Sequence, residues 1–421
     1  MARKMKDSGI EWIGEIPEGW EVIPAKFLFK NSDIRRIADD EQLTSSQQFG
    51  IISQKDYTEL TGSKVVLANK GLADWKHVEP FDFIISLRSF QGGLEMSEIT
   101  GCITWHYIVL KPCHKICSYY YKWLFKSDSY IRALQRTCSF IRDGQDLRYS
   151  NFIQVPLFEP PLAEQEKIAD YLNAECFRID AMLTKTRSSI EEYKKLKQAV
   201  ITQAVTKGVR GERKMKDSGV EWIGKVPSKW NCIKIKYLFE IRKRIAGKEG
   251  YTVLSITQTG IKPKNISSNE GQLADSYSNY QLLHFGEFAM NHMDLLTGWV
   301  DISNYNGVTS PDYRVFSLKD TITNHPRYFL YLMQMCYFNR IFYSMAQGVS
   351  NLGRWRLQSD KFLNCIFPVP SIEEQKEISD YLDTTCSEID KLIAKKEQLV
   401  KELESYKKSL IYEVVTGKRE V

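Results

Sequence analysis

The chain is written twice. Lys4 to Trp20 reads KMKDSGIEWIGEIPEGW and Lys214 to Trp230 reads KMKDSGVEWIGKVPSKW, identical at 12 of 17 positions with an offset of 210. The same offset carries Glu164-Gln165 onto Glu374-Gln375, Asp170-Tyr171-Leu172 onto Asp380-Tyr381-Leu382, and Val205-Thr206 onto Val415-Thr416. A repeat of this length constrains the architecture before any single element is considered. Each copy has a Trp/Pro-rich opening strip, a body of about 140 residues and a long amphipathic segment.

The amphipathic segments run from Leu162 to about Thr206 and from Ser371 to about Thr416. Ile168, Leu172, Cys176, Ile179, Leu183, Ile190, Tyr193, Val200 and Ala204 recur at steps of three, four and seven. So do Ile378, Leu382, Ile389, Ile393, Val400, Leu403, Leu410 and Val414. Such a seam belongs to a helix that needs a partner helix. Neither segment contains Pro or Gly, so each predicts one helix of roughly 65 Å at 1.5 Å per residue. The simplest partner for each is the other copy, in a coiled coil. Pro160 and Pro370 block backward extension. Ser371 with Glu374 fits a capping box, whereas the first copy has Pro161 in the serine position. Glu and Lys mix on the polar side, as from Lys391 to Lys408, which suits a coiled coil better than a lipid-binding helix.

The bodies, 21–160 and 231–370, share boundaries but little sequence. Phe83 to Leu87 and Ile103 to Leu110 predict strands; Ser118 to Leu134 and His325 to Ala346 predict helices. The expected fold class is α+β, with two α/β domains separated by two long helices. The expected segments are 1–160, 161–208, 209–370 and 371–421. Net charge is +6 but uneven: 17 Lys+Arg against 16 Asp+Glu in the first body, 15 against 10 in the second. Contacts to a polyanion would therefore come from local clusters. No apolar run approaches a membrane span, Met1-Ala-Arg-Lys opens into polar sequence, and nine cysteines form no regular framework. A cytoplasmic protein is expected.

The duplicated strip, the Pro-x-x-x-Glu-Gln helix starts and the closing Ala-Val-Thr-Lys-Gly (Ala204–Gly208) and Val-Val-Thr-Gly-Lys (Val414–Lys418) resemble the specificity subunit of Type I restriction–modification systems. The resemblance covers essentially the whole chain. It implies two target-recognition domains, each reading half of a bipartite site on double-stranded DNA, and an antiparallel helical spacer. It also implies two methyltransferase subunits and restriction subunits as partners, acting on adenines. S-adenosylmethionine, ATP and Mg would belong to those partners, and the chain would hold no cofactor of its own. Ile85 to Gly93, and Asn291 to Val300 with Val308 to Tyr313, resemble recurring recognition-domain segments. Because the two differ, the implied target is asymmetric.

Physical chemistry supplies candidates for such a role. Arg, Gln and Asn can pair bidentately with purine edges, while Lys, Ser and backbone amides hold phosphates. The first body offers Arg35, Arg36, Arg88, Ser89, Gln91, Gly92, Arg142, Gln145 and Arg148. The second offers Arg242, Lys243, Arg244, Asn291, His292, Gln347, Asn351, Arg354 and Arg356. Several stand beside glycines, as in loops that approach a ligand closely. Taken singly, each Arg or Gln reads as a solvated surface residue sooner than as a base reader. Gln91-Gly92-Gly93 could cradle a phosphate but also reads as a hairpin turn. Cys102, His106, Cys113, His114 and Cys117 fit no familiar zinc spacing, with His106 expected in mid-strand.

Enzymatic motifs are not evident. There is no Asn/Asp-Pro-Pro-Tyr/Phe loop, no Gly-rich cofactor loop and no G-x-x-x-x-G-K-[ST] phosphate loop. Pro311-Asp312 begins like a nuclease motif without the acidic-x-Lys that would complete it. The expectation is a non-catalytic DNA-recognition subunit. Two alternatives remain open: a divergent methyltransferase or nuclease with its own active site, and a coiled-coil scaffold that does not bind DNA.

Overall fold

Alternation along short strands builds the same sheet in both halves of the chain. The computed structural model describes residues 3–63, 71–86, 89–137, 147–266, 274–346 and 355–421, without the side chains of Phe90 and Gln91. In the first half, Phe29–Ser32, Ile108–Pro112, Phe83–Ile85 and Glu95–Met96 lie side by side in that order, all antiparallel. Successive side chains point to opposite faces. Phe83, Ile85 and Leu110 join the large core with Tyr121, Leu124 and Phe125, while Ile84 and Val109 join a smaller one with Leu43, Val78 and Ile103. The second half repeats the order with Phe239–Arg242, Arg314–Leu318, Phe288–Met290 and Val300–Ile302. Phe288, Met290 and Phe316 face its large core; Ala289 and Val315 face a smaller one with Leu254, Ile256 and Leu283. Bodies with little common sequence thus share one topology.

Three sequence expectations need correction. The strand expected from Ile103 to Leu110 is two strands, Gly101–Ile103 and Ile108–Pro112, joined by a turn in which Tyr107 N donates to Thr104 O at 3.0 Å. His106 lies in that turn, stacked on Trp105 at 3.5 Å between centroids, and not in mid-strand. The helix expected from Ser118 to Leu134 is split into Ser118–Lys126 and Asp128–Arg136 by Ser127, whose side chain caps the second by accepting from Tyr130 N. His325 to Ala346 likewise divides into Pro326–Phe338 and Ile341–Ser344 at Arg340, where φ is +56°.

The two long helices span Leu162–Lys207 and Ile372–Val415. The chain forms two compact units, Met1–Arg187 with Gln398–Val421, and Ser188–Glu397, so each long helix contributes its two ends to different units. In the first unit Asp180 pairs with Lys407 at 2.7 Å and Arg187 with Glu404 at 2.5 Å. In the second, Lys197 pairs with Asp390 at 2.7 Å and Arg210, just past the first helix, with Glu377 at 2.8 Å. Within each unit one number rises as the other falls, so the helices pair antiparallel. Their burial weakens to intermediate at Tyr193, Val200, Ile393, Val400 and Leu403, as a two-helix seam without a third layer requires.

The repeated Glu-Gln explains how a body is fixed to a helix. In the first unit the buried Trp20 donates from Nε1 to Glu164 Oε2 at 2.9 Å, with Arg3 over the indole at 5.4 Å and paired to the same carboxylate. Gln165 accepts from Cys117 N at 2.9 Å and donates to Pro160 O at 2.8 Å. Tyr120 OH donates to Val415 O at 2.8 Å, fixing the end of the other helix. The second unit repeats each contact: Trp230 to Glu374 at 3.0 Å, Arg213 over Trp230 at 5.3 Å, Gln375 from His325 N at 2.7 Å, and Tyr328 OH to Val205 O at 3.2 Å. The capping box expected at Ser371 is therefore incomplete. Ser371 Oγ accepts from Glu374 N at 3.5 Å, but the Glu374 side chain is taken by Trp230 and Arg213.

Gly417 closes the second helix at φ +69°, where a Cβ would stand 2.5 Å from Pro17 Cγ and 3.0 Å from Trp20 Cη2. Trp230→Phe removes the indole donor and leaves Glu374 short of a partner in a buried setting. It is expected to lower the stability of the second unit by about 2 kcal/mol, read by urea unfolding followed by far-UV circular dichroism. An unchanged midpoint would show that the indole–carboxylate contact carries no stability.

Candidate nucleic-acid interface

Among the described residues of the first unit, the candidate cations Arg35 and Arg36 are already engaged. Arg35 pairs with Asp74 at 2.9 Å and Lys76 with Asp33 at 2.9 Å, around a depression of about 440 Å³ that Trp105 also lines. Ion pairs as exposed as Arg35–Asp74 are worth little, so a phosphate can replace the carboxylate at small cost. Arg36 is turned inward: its Nη2 donates to Ala38 O at 3.5 Å and Asp40 O at 3.4 Å, in a loop held by the buried contact of Asp40 with His77 at 2.9 Å. Ser89 is buried, its Oγ accepting from Ser86 N at 2.8 Å. Gly92 O accepts from Lys126 Nζ at 3.1 Å. A Cβ on Gly93 would lie 2.1 Å from Phe125 O, so the close approach made here is to the protein's own helix. Arg148 is exposed, and its backbone N donates to Asn151 Oδ1 at 3.0 Å.

The suggested metal set is dispersed onto other partners. Cys102 Sγ reaches Asp40 O, His114 bonds Glu159 at 2.7 Å, and Cys113 Sγ reaches Lys26 O. Among the described residues no group of three or more His, Cys, Asp or Glu could hold a metal ion.

The second unit is arranged differently. Arg242 donates to Ser317 Oγ at 3.0 Å and pairs with Glu240 at 3.1 Å. Arg244 is held by Glu287 and by His284 Nδ1 at 3.1 Å, and Lys243 is exposed. Asn291 Oδ1 accepts from Met293 N at 3.2 Å and Asp294 N at 3.3 Å, so it shapes its own turn. His292 and Arg356 share a cavity of about 180 Å³ with Arg314, Gln358 and Ser359. Arg88, Arg142, Gln145, Gln347, Asn351, Arg354 and the side chain of Gln91 lie outside the described residues.

Residues 227–402 match the family described as the Type I restriction modification DNA specificity domain. A curated relative, the MjaVIII specificity subunit of a Type I restriction enzyme from Methanocaldococcus jannaschii, is 25% identical over 280 residues. That match spans 63% of this chain and 62% of the relative's length. The fold is similar to a chain solved in work on assembly and conformational transition of the type I R-M system, with TM-score 0.66, 13% identity and coverage of 95% of this chain and 98% of that one. It is also similar to the HsdS subunit from Thermoanaerobacter tengcongensis, with TM-score 0.54, 12% identity and coverage of 96% and 98%. The expected α+β fold class with two long antiparallel helices is the fold observed. No helix among the described residues is long and apolar enough to cross a membrane.

Within the matched residues 227–402, sequence reasoning missed Arg314. Its signal was an arginine opening the strand RVFSL on the face that Phe316 and Leu318 turn into the core. Burial pushes its guanidinium down to about 10, and burial together with Arg314 and Arg356 pushes the His292 imidazole down to about 3. The folded protein thus keeps His292 neutral, whereas the unfolded chain takes up the proton below its ordinary value of 6.5. This contribution to stability is complete above pH 6.5 and is lost as pH falls toward 3, at up to about 1.4 kcal/mol per pH unit. Between pH 7.5 and 5 the loss is expected to be about 2 kcal/mol, and His292→Asn should remove that component from the pH dependence of unfolding. Equal pH profiles for the two proteins would contradict the burial of a neutral imidazole.

Proposed function

We propose that this chain is the DNA-recognition subunit of a Type I restriction–modification complex. Its two bodies read the two halves of a bipartite, asymmetric target, and its helices recruit two methyltransferase subunits, which restriction subunits join. The chain itself is non-catalytic. S-adenosylmethionine, ATP and Mg are bound by the partners. The observation that carries this reading is the match of residues 227–402 to the DNA specificity domain, together with a similar fold over 95% of the chain.

The residues support asymmetric reading in particular. The sheets of the two bodies share strand order, yet Ile108 opens the central strand of the first where Arg314 opens that of the second. One body offers the ion pairs Arg35–Asp74 and Lys76–Asp33 beside Trp105, the other a cationic cavity. Different donors over one scaffold are what two different half-sites require.

Co-expression with a Type I modification subunit, followed by single-molecule sequencing of the host's methylated DNA, tests the proposal. One bipartite motif with N6-methyladenine in each half and a fixed gap is the expected result. Assembly without any methylated motif would favour a scaffold that does not read DNA. Turnover of S-adenosylmethionine by the isolated chain would favour an enzyme.

A further inference from the structure

Arg314 shares a strand face with Phe316, so a guanidinium enters a core that the same face otherwise fills with apolar side chains. It is 4% exposed. Its Nη2 donates to Leu357 O at 2.9 Å and Ser359 Oγ at 3.2 Å, Nη1 reaches Met290 Sδ at 3.9 Å, and the group lies 4.8 Å from the Phe362 ring centroid. A guanidinium has five donors, so these partners do not exhaust it. Among the described residues no carboxylate pairs with it, which is unusual for a buried charge.

Its surroundings add to the imbalance. His292 is 6% exposed, and its Nδ1 has no hydrogen-bond partner among the described residues. Arg356, exposed, brings a second positive charge to the same cavity. Like charges gathered without an anion oppose folding, whereas one anion would satisfy all three groups. The cavity of about 180 Å³ has room for a tetrahedral oxyanion. In the first body the equivalent strand position holds Ile108, paired with Ile85 as Arg314 is with Met290.

We propose that His292, Arg314 and Arg356 form a seat for one oxyanion of the phosphate class in the second body. Arg314 forms the cationic floor, Arg356 closes the exposed side, and His292 donates from Nδ1 in the corresponding tautomer. As a seat for a backbone phosphate it rests on the DNA-recognition reading above; free phosphate offers the same chemistry.

Inorganic phosphate is titrated calorimetrically into the full chain at fixed ionic strength, against chloride. The wild type is expected to bind one phosphate per chain, Arg356→Gln to bind about tenfold more weakly, and Arg314→Met to lose the site while keeping its far-UV spectrum. No binding by the wild type, or equal binding by wild type and Arg356→Gln, overturns the seat. The source is then read from the salt dependence of DNA binding by the assembled complex. A slope reduced by about one in Arg356→Gln assigns the seat to a backbone phosphate. An unchanged slope with phosphate binding lost assigns it to a free anion and overturns the backbone assignment. A complex that binds no DNA would fail the DNA-recognition reading, while the phosphate titration would still decide the seat.

Discussion

An indole N–H buried against a carboxylate at the head of a long helix holds each unit together. Trp20 with Glu164, and Trp230 with Glu374, join an opening strip to the first turn of the helix that follows the body. The adjoining glutamine fixes the body's own helix by satisfying a backbone N–H at its start, Cys117 in one case and His325 in the other. A carboxylate placed there is shared with an arginine and lies at the positive end of the helix dipole, so its burial is compensated. The tyrosine near the start of the body's helix then ties down the end of the opposite long helix, through Val415 O or Val205 O. Each unit consequently needs the start of one long helix and the finish of the other.

That arrangement separates what must be kept from what is free to vary. The indole, carboxylate, glutamine and arginine of the anchor are each written twice at the 210-residue offset. The side chains at the open ends of the sheets lie outside the repeat. Arg314 against Ile108 illustrates the point: neither takes part in the anchor, and each completes the same strand. In the first body Arg35 and Lys76 pair with Asp74 and Asp33, while the second buries Arg314 without a carboxylate among the described residues.

Much of this was legible in the sequence, for physical reasons. A helical seam of more than forty residues without Pro or Gly has few alternatives, and the 210-residue offset showed that two such helices exist. What local pattern cannot convey is where a run breaks. Ile103 to Leu110 is apolar enough for one strand, but the chain turns at Thr104 to Tyr107. Ser127 interrupts a helical pattern by capping a new one. The candidate site was less legible, because an arginine's sequence neighbours do not show its partners. Arg36 bonds its own loop, Ser89 and Asn291 shape turns, and Gly93 makes room for Phe125 O. Arg314 was overlooked because a charge inside an apolar strand reads as an exception until the alternation of that strand is known.

The C-terminal end of the chain completes the first body. Leu410, Val414 and Val415 share a core with Trp20 and Tyr120. Hydrogen exchange on the full chain and on a chain ending at Glu397 tests it directly. The shortened chain is expected to lose protection around Ile13 to Trp20 and Ser118 to Lys126 while Pro326–Phe338 keeps it. Full protection of the first body in the shortened chain would contradict it.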